Sequence, residues 1–440
     1  MSAATRPSNV PLIHHWMPFT ANRQFQEQPR LIARAEGVYY YNTRGEKLLD
    51  GSSGLYCIPL GHGRREIREA VAKQMEELDY APPFQYGVPT AFRLATEVAQ
   101  LLPDGINRVF FAGSGSEAAD TALKMALAYH RARGEAQRVR FIGRERGYHG
   151  VNLGGMSVGG MVANRKAFGT GLPGVSHLRH TRIQENMFEM GEGTHGADLA
   201  DDLERFVNLH GADTIAACIV EPIAGSTGIL VPPKGYLKRL RELCTKHGIL
   251  LIFDEVITGF GRTGEAFASQ TFGVTPDIIT MAKALTNGSI PMAAVAVKDE
   301  VQQAIFDSSP ENSIELFHGY TYSAHPAACA AGLATLKIYR EEGTFDRVKS
   351  LAPAFLEQIG SFKGMDGVVD TRGYGLLGAV ELAPQGKPGE RGFKILCKAF
   401  EQGLVLRSAG DSLVLAPPFA ATAEQINEMT DIMRKLVKEN

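Results

Sequence analysis

Cysteine is scarce in this sequence, and the few cysteines present form no motif. Five occur in 440 residues, an odd number, and no two of them have CxxC or zinc-finger spacing. They are Cys57, Cys218, Cys244, Cys329 and Cys397. A disulfide-stapled secreted domain is therefore not indicated, and the sequence predicts free thiols in a reducing cytoplasm.

Long hydrophobic runs and an excess of one charge are also absent. No apolar stretch approaches the roughly 20 residues of a membrane helix, and the first 20 residues contain no apolar core of a signal peptide. Lysine and arginine number 46 against 48 aspartates and glutamates, and the two signs are mixed throughout. The sequence therefore predicts neither a nucleic-acid nor a membrane partner, and we expect a reaction on a small molecule in the cytoplasm.

Short apolar strands alternate with helices through the middle of the chain. The strand candidates are RVFFA (108–112), RVRFIG (138–143), IAACIVEP (215–222), ILLIFDEV (249–256) and DIITM (277–281). This alternation predicts an α/β fold, with a mostly parallel sheet covered by helices on both faces.

The pattern changes after about residue 340, where strand clusters and helices predict a small α+β domain. We assign residues 61–335 to a large domain and 336–440 to the small one, which the N-terminal segment 1–60 joins. Residues 183–200, IQENMFEMGEGTHGADLA, interrupt the alternation and are predicted to form a mobile insertion.

A glycine–serine turn links the first of these strands to a long helix. The amides of Gly115, Ser116 and Glu117 and the hydroxyls of Ser114 and Ser116 would face outward at the positive end of the helix, an arrangement suited to a phosphate. An ordinary turn with Ser116 as the helix N-cap is one alternative. The run GSGSEA also fits the dinucleotide fingerprint GxGxxA, but the acidic residue expected at the end of the next strand is missing.

Ionisable and aromatic residues stand at the ends of the following strands. Tyr148 follows the second strand, Glu221 the third, Asp254 ends the fourth, and Lys283 comes just after the fifth. Because ligands of open α/β sheets bind at the carboxyl edge, we expect these residues to meet the glycine–serine turn there. A buried salt-bridge network is the alternative for the charged members, and His149 is predicted to be structural.

Together these residues match the needs of pyridoxal 5'-phosphate (PLP), a flat phosphorylated aldehyde with a ring nitrogen. The helix start would bind its phosphate, and Tyr148 and Val256 would pack on the two faces of its ring. Asp254 would keep the ring nitrogen protonated. Lys283 would form a Schiff base with the aldehyde. Burial beside other cations would lower the pKa of this lysine and so favour the neutral amine that the reaction needs. A dinucleotide would leave Asp254 and Lys283 without a role.

Six motifs resemble those of the class III (omega) aminotransferases, a branch of the fold-type I PLP-dependent transferases. They are GSGSEA, YHG, VEPIAGSTGILVPPKGYL, LLIFDEVITGFGRTG, DIITMAKALTNGSIPMAAV and HGYTYSAHP, in the family's order and approximate spacing. The resemblance covers essentially the whole chain. It implies a seven-stranded sheet in the large domain, and a homodimer or dimer of dimers with shared active sites.

The resemblance implies the same roles for Asp254, for Tyr148 and Val256, and for the phosphate-binding turn. For Lys283 it implies the Schiff base and, in addition, the transfer of the proton. It adds Thr321, in HGYTYSAHP, which would reach the phosphate across the dimer interface, and Glu221, which would orient its neighbours.

Three further residues would contact substrate if the resemblance holds. Arg407 matches the family's carboxylate-binding arginine, although a surface ion pair with Asp411 is the alternative. Tyr56 takes a pocket position often held by tryptophan, and Phe84 matches an aromatic residue lent by the neighbouring subunit. Val414 stands where the family's β-alanine enzymes have a polar residue, so bulkier amines stay open as donors.

Within the family the chain looks most like the omega-amino acid and amine–pyruvate transaminases, including those acting on β-alanine. The expected reaction is ping-pong transfer of an amino group from an omega-amino acid or primary amine to pyruvate. Other class III reactions, those of aminomutases, racemases and decarboxylases, would share every cofactor residue. An NAD(P) oxidoreductase and a non-catalytic scaffold are the alternatives outside PLP chemistry.

Overall fold

The computed structural model describes residues 11–440. The strands are β1 Ile32–Glu36, β2 Tyr39–Asn42, β3 Lys47–Asp50, β4 Ile106–Ala112, β5 Arg140–Arg144, β6 Val175–Leu178, β7 Ile215–Val220, β8 Leu250–Asp254, β9 Ile278–Met281, β10 Ala293–Lys298, β11 Val368–Tyr374, β12 Leu377–Leu382, β13 Leu404–Val405, β14 Arg407–Ala409 and β15 Ser412–Leu415.

The helical elements are α1 Asn22–Glu27, α2 Ser53–Tyr56, α3 Arg65–Glu77, α4 Pro89–Ala99, α5 Gly115–Ala132, α6 Leu153–Val158, α7 Val162–Phe168, α8 Asp202–His210, α9 Tyr236–His247, α10 Ala268–Thr271, α11 Asp299–Asp307, α12 Pro326–Glu341, α13 Thr344–Gly360, α14 Glu390–Glu401 and α15 Ala423–Glu439. Of these, α2 is a single left-handed turn and the others are α-helices.

A seven-stranded sheet forms the centre of the molecule, in the order β4-β10-β9-β8-β7-β5-β6. The pairs among β5 to β9 are parallel, whereas β10 is antiparallel to both β4 and β9. The reversal is therefore confined to β10, and the carboxyl ends of the other six strands share one edge. This arrangement confirms the predicted α/β class and the mostly parallel seven-stranded sheet.

Helices cover both faces of this sheet. Along β7, Ala217 and Ile219 pack in one hydrophobic cluster with Ala118 and Ala122 of α5. The intervening residues of β7 pack in a second cluster with Leu240 of α9. Because successive side chains of a strand point to opposite faces, α5 and α9 lie on opposite sides of the sheet. Burial on both faces explains why β7 is apolar throughout, and why Asp254 and Thr280 are the only polar residues of β8 and β9.

Two smaller four-stranded sheets complete the fold, with the orders β1-β2-β3-β13 and β11-β12-β15-β14. The first joins distant parts of the chain, since β13 pairs in parallel with β3. Val38 and Leu49 also pack in a cluster with residues of α13, α14 and α15. We propose on this basis that residues 11–60, the described part of segment 1–60, and residues 336–440 form one small domain beside the large domain 61–335.

The segment 183–200 is anchored to its surroundings by backbone hydrogen bonds. The amide of Gly191 donates to the carbonyl of Gly373 (2.8 Å), and the amide of Phe188 donates to the carboxylate of Asp370 (2.7 Å). The carbonyl of Gly193 accepts from Lys234 (2.8 Å). The segment is therefore a packed loop against β11, in contrast to the predicted mobile insertion, because its polar backbone finds partners outside itself.

The cysteines and the helices can be compared with what the composition predicted. The five cysteines are all unpaired. Among the helices of residues 11–440, none combines the length and the apolar character that crossing a membrane requires.

Candidate active site

The start of helix α5 is exposed at the carboxyl edge of the large sheet. Ser114 is the N-cap, because its extended backbone (φ −151°) lets its hydroxyl accept a hydrogen bond from the amide of Glu117 (3.2 Å). The alternative with Ser116 as N-cap is wrong, since the Ser116 hydroxyl accepts from the amide of Val151 (3.0 Å). The amides of Gly115 and Ser116 have no carbonyl one turn back in the helix, so they can bind an anion.

A tight approach of two backbones brings the YHG motif to this helix start. Gly150 has a φ of +97°, and a β-carbon added to it would lie 2.5 Å from the Ser116 hydroxyl oxygen. A side chain at position 150 would therefore separate the turn after β5 from α5. Glycine at this position places Tyr148 and His149 beside the anion-binding amides.

Asp254, the last residue of β8, is held in a fixed orientation. One carboxylate oxygen lies 2.8 Å from Nδ1 of His149, and the other accepts a hydrogen bond from the amide of Val256 (3.1 Å). His149 is buried, and its Nε2 has no hydrogen-bond partner within residues 11–440. The prediction of a structural histidine missed this contact with Asp254. Its position one residue after Tyr148 at the same sheet edge was the available signal.

Glu221 connects two turns at the end of β7. Its carboxylate accepts hydrogen bonds from the amide of Tyr148 (2.9 Å) and the amide of Gly225 (3.0 Å). Burial raises the pKa of this carboxyl group, and the nearby Asp254 acts in the same direction. Glu221 therefore fixes the backbone that carries Tyr148, and the salt-bridge network considered for it is not formed, since its partners are amides.

Lys283 follows β9 at the same edge. Its backbone is left-handed (φ +46°), a conformation that a residue with a β-carbon adopts only where its surroundings impose it. Burial lowers the pKa of its ammonium group, which favours the neutral amine that a nucleophile needs. Cys57 lines the same cavity as Lys283, and the sequence had given no reason to place this thiol in the site.

One cavity of about 330 Å³ joins these residues. It is lined by the predicted turn 114–116, Tyr148, Glu221, Asp254, Val256 and Lys283. The structure thus brings together every predicted cofactor residue except Thr321. A helix start that can bind a phosphate, an oriented carboxylate and an amine of lowered pKa fit the three functional groups of PLP.

Thr321 and Phe84 lie elsewhere, on the exposed surface of this chain. The hydroxyl of Tyr80 donates to the carbonyl of Thr321 (3.0 Å). The ring of Phe84 leaves no room for a β-carbon on Gly319, which would lie 2.8 Å from it. The two predicted residues therefore belong to loops that contact each other, and neither lines the cavity of its own chain.

Neither Arg407 nor Tyr56 is among the residues that line the cavity. Tyr56 packs with Ile257, which lines the cavity, and with Val414, which faces Arg407 across the β14–β15 pair. Arg407 donates to the carbonyl of Ser226 (3.0 Å). Within the described chain, the buried Nε of Arg407 and the Tyr56 hydroxyl have no partner.

The ion pair considered for Arg407 and Asp411 is absent. Asp411 accepts instead from the amides of Gly389 (2.7 Å) and Gly392 (3.0 Å) and is 9% exposed. Because two amides already satisfy this carboxylate, it has little to gain from the arginine. Arg407 is thereby left available to another acceptor.

Comparison with known proteins gives consistent matches along the whole chain. Residues 20–437 match the family described as aminotransferase class-III. An omega-aminotransferase from Caulobacter vibrioides is 52% identical over 424 residues, which cover 96% of each chain. An omega-amino acid–pyruvate aminotransferase from Pseudomonas putida is 47% identical over 441 residues, covering 99% of this chain and 98% of that one.

Solved structures show the same similarity. An omega transaminase from Pseudomonas jessenii in complex with PMP superimposes with a TM-score of 0.93 at 32% identity, covering 99% of this chain and 98% of that chain. An (S)-enantioselective omega-transaminase from Thermomicrobium roseum gives a TM-score of 0.91 at 33% identity, covering 97% and 96%.

Proposed function

The chain belongs to the class-III aminotransferases, PLP-dependent enzymes, and on that premise we propose that it moves an amino group from an omega-amino acid or primary amine to pyruvate, giving alanine. The observation that carries the proposal is the single cavity that joins Lys283, Asp254 and the start of α5. The similarity to pyruvate-dependent relatives supports the choice of acceptor.

PLP supplies an aldehyde that takes up the amino group in one half-reaction and returns it in the other, and a ring that withdraws electrons. The chain would bind the phosphate and the ring of this group with two separate sets of residues. Ser114, Gly115 and Ser116 would bind its phosphate with amides and hydroxyls, and Tyr148 and Val256 would pack on its ring. These contacts fix the reacting atoms relative to Lys283.

Asp254 would hold a proton at the ring nitrogen. The contact between its carboxylate and His149 (2.8 Å) restricts the carboxylate to one orientation, and the amide of Val256 binds its second oxygen. An oriented carboxylate in a site shielded from water interacts strongly with a pyridinium proton. Glu221, through the amide of Tyr148, would keep the ring-packing tyrosine in place.

Lys283 would hold the aldehyde covalently in the resting site and, once the amine of the substrate has displaced it, would move the proton at the reacting carbon. Its lowered pKa supports both roles, because the amine is neutral at a lower pH than a free lysine and can accept a proton. Arg407 would bind the carboxylate of pyruvate or of an omega-amino acid. Its unpartnered Nε and its position beside Tyr56 support this assignment.

We also propose a homodimer in which loops are exchanged between sites. Exposed aromatic residues support this arrangement, namely Tyr80, Phe84, Tyr86, Phe317 and Tyr322. Large exposed apolar patches mark interaction surfaces. Thr321 would reach the phosphate of the partner's cofactor, and Phe84 its substrate.

The unpaired cysteines further support a cytoplasmic location.

A donor panel with an isotopic label tests the reaction. We expect 15N from labelled β-alanine or from a labelled primary amine to appear in alanine when pyruvate is supplied with PLP. An aminomutase, racemase or decarboxylase would leave pyruvate unaminated. Transfer to 2-oxoglutarate with none to pyruvate would contradict the proposed acceptor.

A further inference from the structure

Four consecutive residues next to the cavity have a left-handed backbone. Ser53, Gly54, Leu55 and Tyr56 have φ values of 46°, 55°, 61° and 68°. Three of them carry a β-carbon, for which a left-handed helical turn is unfavourable. Such a conformation persists only where the surrounding structure imposes it, and it is frequent at functional sites. The next residue, Cys57, lines the cavity.

The segment 50–62, here called the pocket segment, is closed at its ends. Nε2 of His62 lies 3.0 Å from a carboxylate oxygen of Asp50, and both side chains are buried. Within the segment, the hydroxyl of Ser53 donates to the carbonyl of Ala416 (2.6 Å). These contacts fix the pocket segment to itself and to the end of β15, but not to the element that bears Lys283.

Asn287 supplies that missing connection. Its side-chain oxygen accepts a hydrogen bond from the amide of Leu60 (3.0 Å), and its side-chain nitrogen donates to the carbonyl of Gly61 (3.0 Å). Asn287 is 4% exposed and ends the short 3-10 turn that begins at Lys283. One buried amide thus satisfies a donor and an acceptor of the pocket segment.

The two backbones are also in close contact at this point. A β-carbon on Gly288 would lie 3.1 Å from the β-carbon of Cys57. The turn 283–288 and the pocket segment therefore pack without intervening side chains. A loss of the Asn287 bonds would let the two elements separate.

We propose that Asn287 is a positioning residue that fixes the turn of Lys283 against the pocket segment, and so sets the distance between the reactive amine and Tyr56 and Cys57. This inference rests on the proposed role of Lys283. Asn287 does not line the cavity, and acts through the two elements that do.

The test replaces Asn287 with glycine, which keeps the left-handed backbone (φ +49°) without its side chain. The matched control is Asn312→Gly, because Asn312 is also left-handed (φ +60°) but exposed. The first readout is the rate of alkylation of Cys57 by iodoacetamide in the apoenzyme, followed by peptide mapping. Cys397, in α14, is the internal reference thiol.

We expect Asn287→Gly to speed alkylation of Cys57 on the order of tenfold, since two buried hydrogen bonds are lost, with Cys397 unchanged. In the PLP-loaded enzyme kcat/KM should fall by a similar factor. The cofactor content and the covalent attachment of PLP to Lys283 should be retained. Asn312→Gly should behave as the wild type in every assay.

If Asn287→Gly fails to fold, Asn287→Asp decides the question. The aspartate can still accept from Leu60 but cannot donate to Gly61, so faster Cys57 alkylation is again expected. An unchanged rate in a folded variant would overturn the proposal. Failure of wild-type Lys283 to attach PLP would refute its proposed role independently, because the alkylation assay uses the apoenzyme.

Discussion

At the scale of single residues, the burial of the Asp254 carboxylate was the first indication of a functional site. A buried carboxylate is unfavourable unless donors meet it. Here His149 and the amide of Val256 bind its two oxygens, so the carboxylate is held in an orientation that a ring nitrogen can use.

Replacement of Asp254 by asparagine should therefore impair catalysis far more than folding. An amide cannot hold the pyridinium proton, so we expect the half-reaction rate to fall at least about a hundredfold. The thermal midpoint should change little, because the two side chains have nearly the same shape. Stopped-flow spectroscopy of the half-reaction measures the rate, and Asp431→Asn, at an exposed position, is the control. Wild-type rates in the mutant would mean that Asp254 faces another group.

Arg407→Ala tests the proposed carboxylate contact. The change removes a charge-assisted pair, so we expect the KM for pyruvate to rise about ten- to hundredfold. The half-reaction with an amine that has no carboxylate should be largely spared. Arg131→Ala, at an exposed position of α5, is the control. Equal losses in both half-reactions, or none, would exclude Arg407 as the residue that distinguishes the two substrates.

At the scale of elements, the sequence predicted the strands of the large sheet, because alternating apolar strands and helices identify them. Continuous apolar runs identified β7, β8 and β9, and the parallel arrangement implied that Glu221, Asp254 and Lys283 would meet at one edge. The start of helix α15 also has a local signal in the sequence, because Thr422 and Gln425 form a capping box there.

Other elements had no local signal. The reversed direction of β10 depends on its neighbours in the sheet, because strand composition does not encode direction. The left-handed turn 53–56 contains serine, leucine and tyrosine, none of which favours that conformation. It is imposed by contacts far along the chain, such as the bond from Ser53 to Ala416.

The left-handed turn gives a stability prediction at this scale. Gly54→Ala should lower the free energy of unfolding by about 1–2 kcal/mol, since φ is +55° and the new β-carbon would lie 3.0 Å from the Tyr40 hydroxyl. Gly360→Ala, in α13, is the matched control. Its β-carbon would find only Met190, at 3.6 Å, so its effect should be neutral or stabilising by up to about 1 kcal/mol. Chemical denaturation measures both, and equal effects would show that the turn is not strained.

At the scale of the whole molecule, the proposed homodimer requires two chains for each complete site. Thr321 and Phe84 do not line the cavity of their own chain, yet they lie on contacting exposed loops. The sequence could predict these contacts between subunits only through the resemblance to the family. The spacing of residues within one chain carries no information about which residues of a partner chain they contact.

Mixed dimers test the exchange of loops. When Lys283→Ala chains are combined with Thr321→Ala chains, each hybrid should contain one site with both defects and one with neither. Hybrids should therefore recover up to half of the wild-type activity per dimer, above the mean of the two parent homodimers. Activity equal to that mean, which is what one site of each single mutant would give, or a fully active monomer at assay concentration, would contradict shared sites.

Whether Lys283 bonds to the cofactor is tested most directly by borohydride reduction of the PLP-loaded enzyme, followed by peptide mapping. The account predicts one cofactor-bearing peptide, with the label on Lys283. In Lys283→Ala the label should vanish, while PLP still binds through the phosphate site at the start of α5. A label on a different lysine, with Lys283 unmodified, would contradict the account.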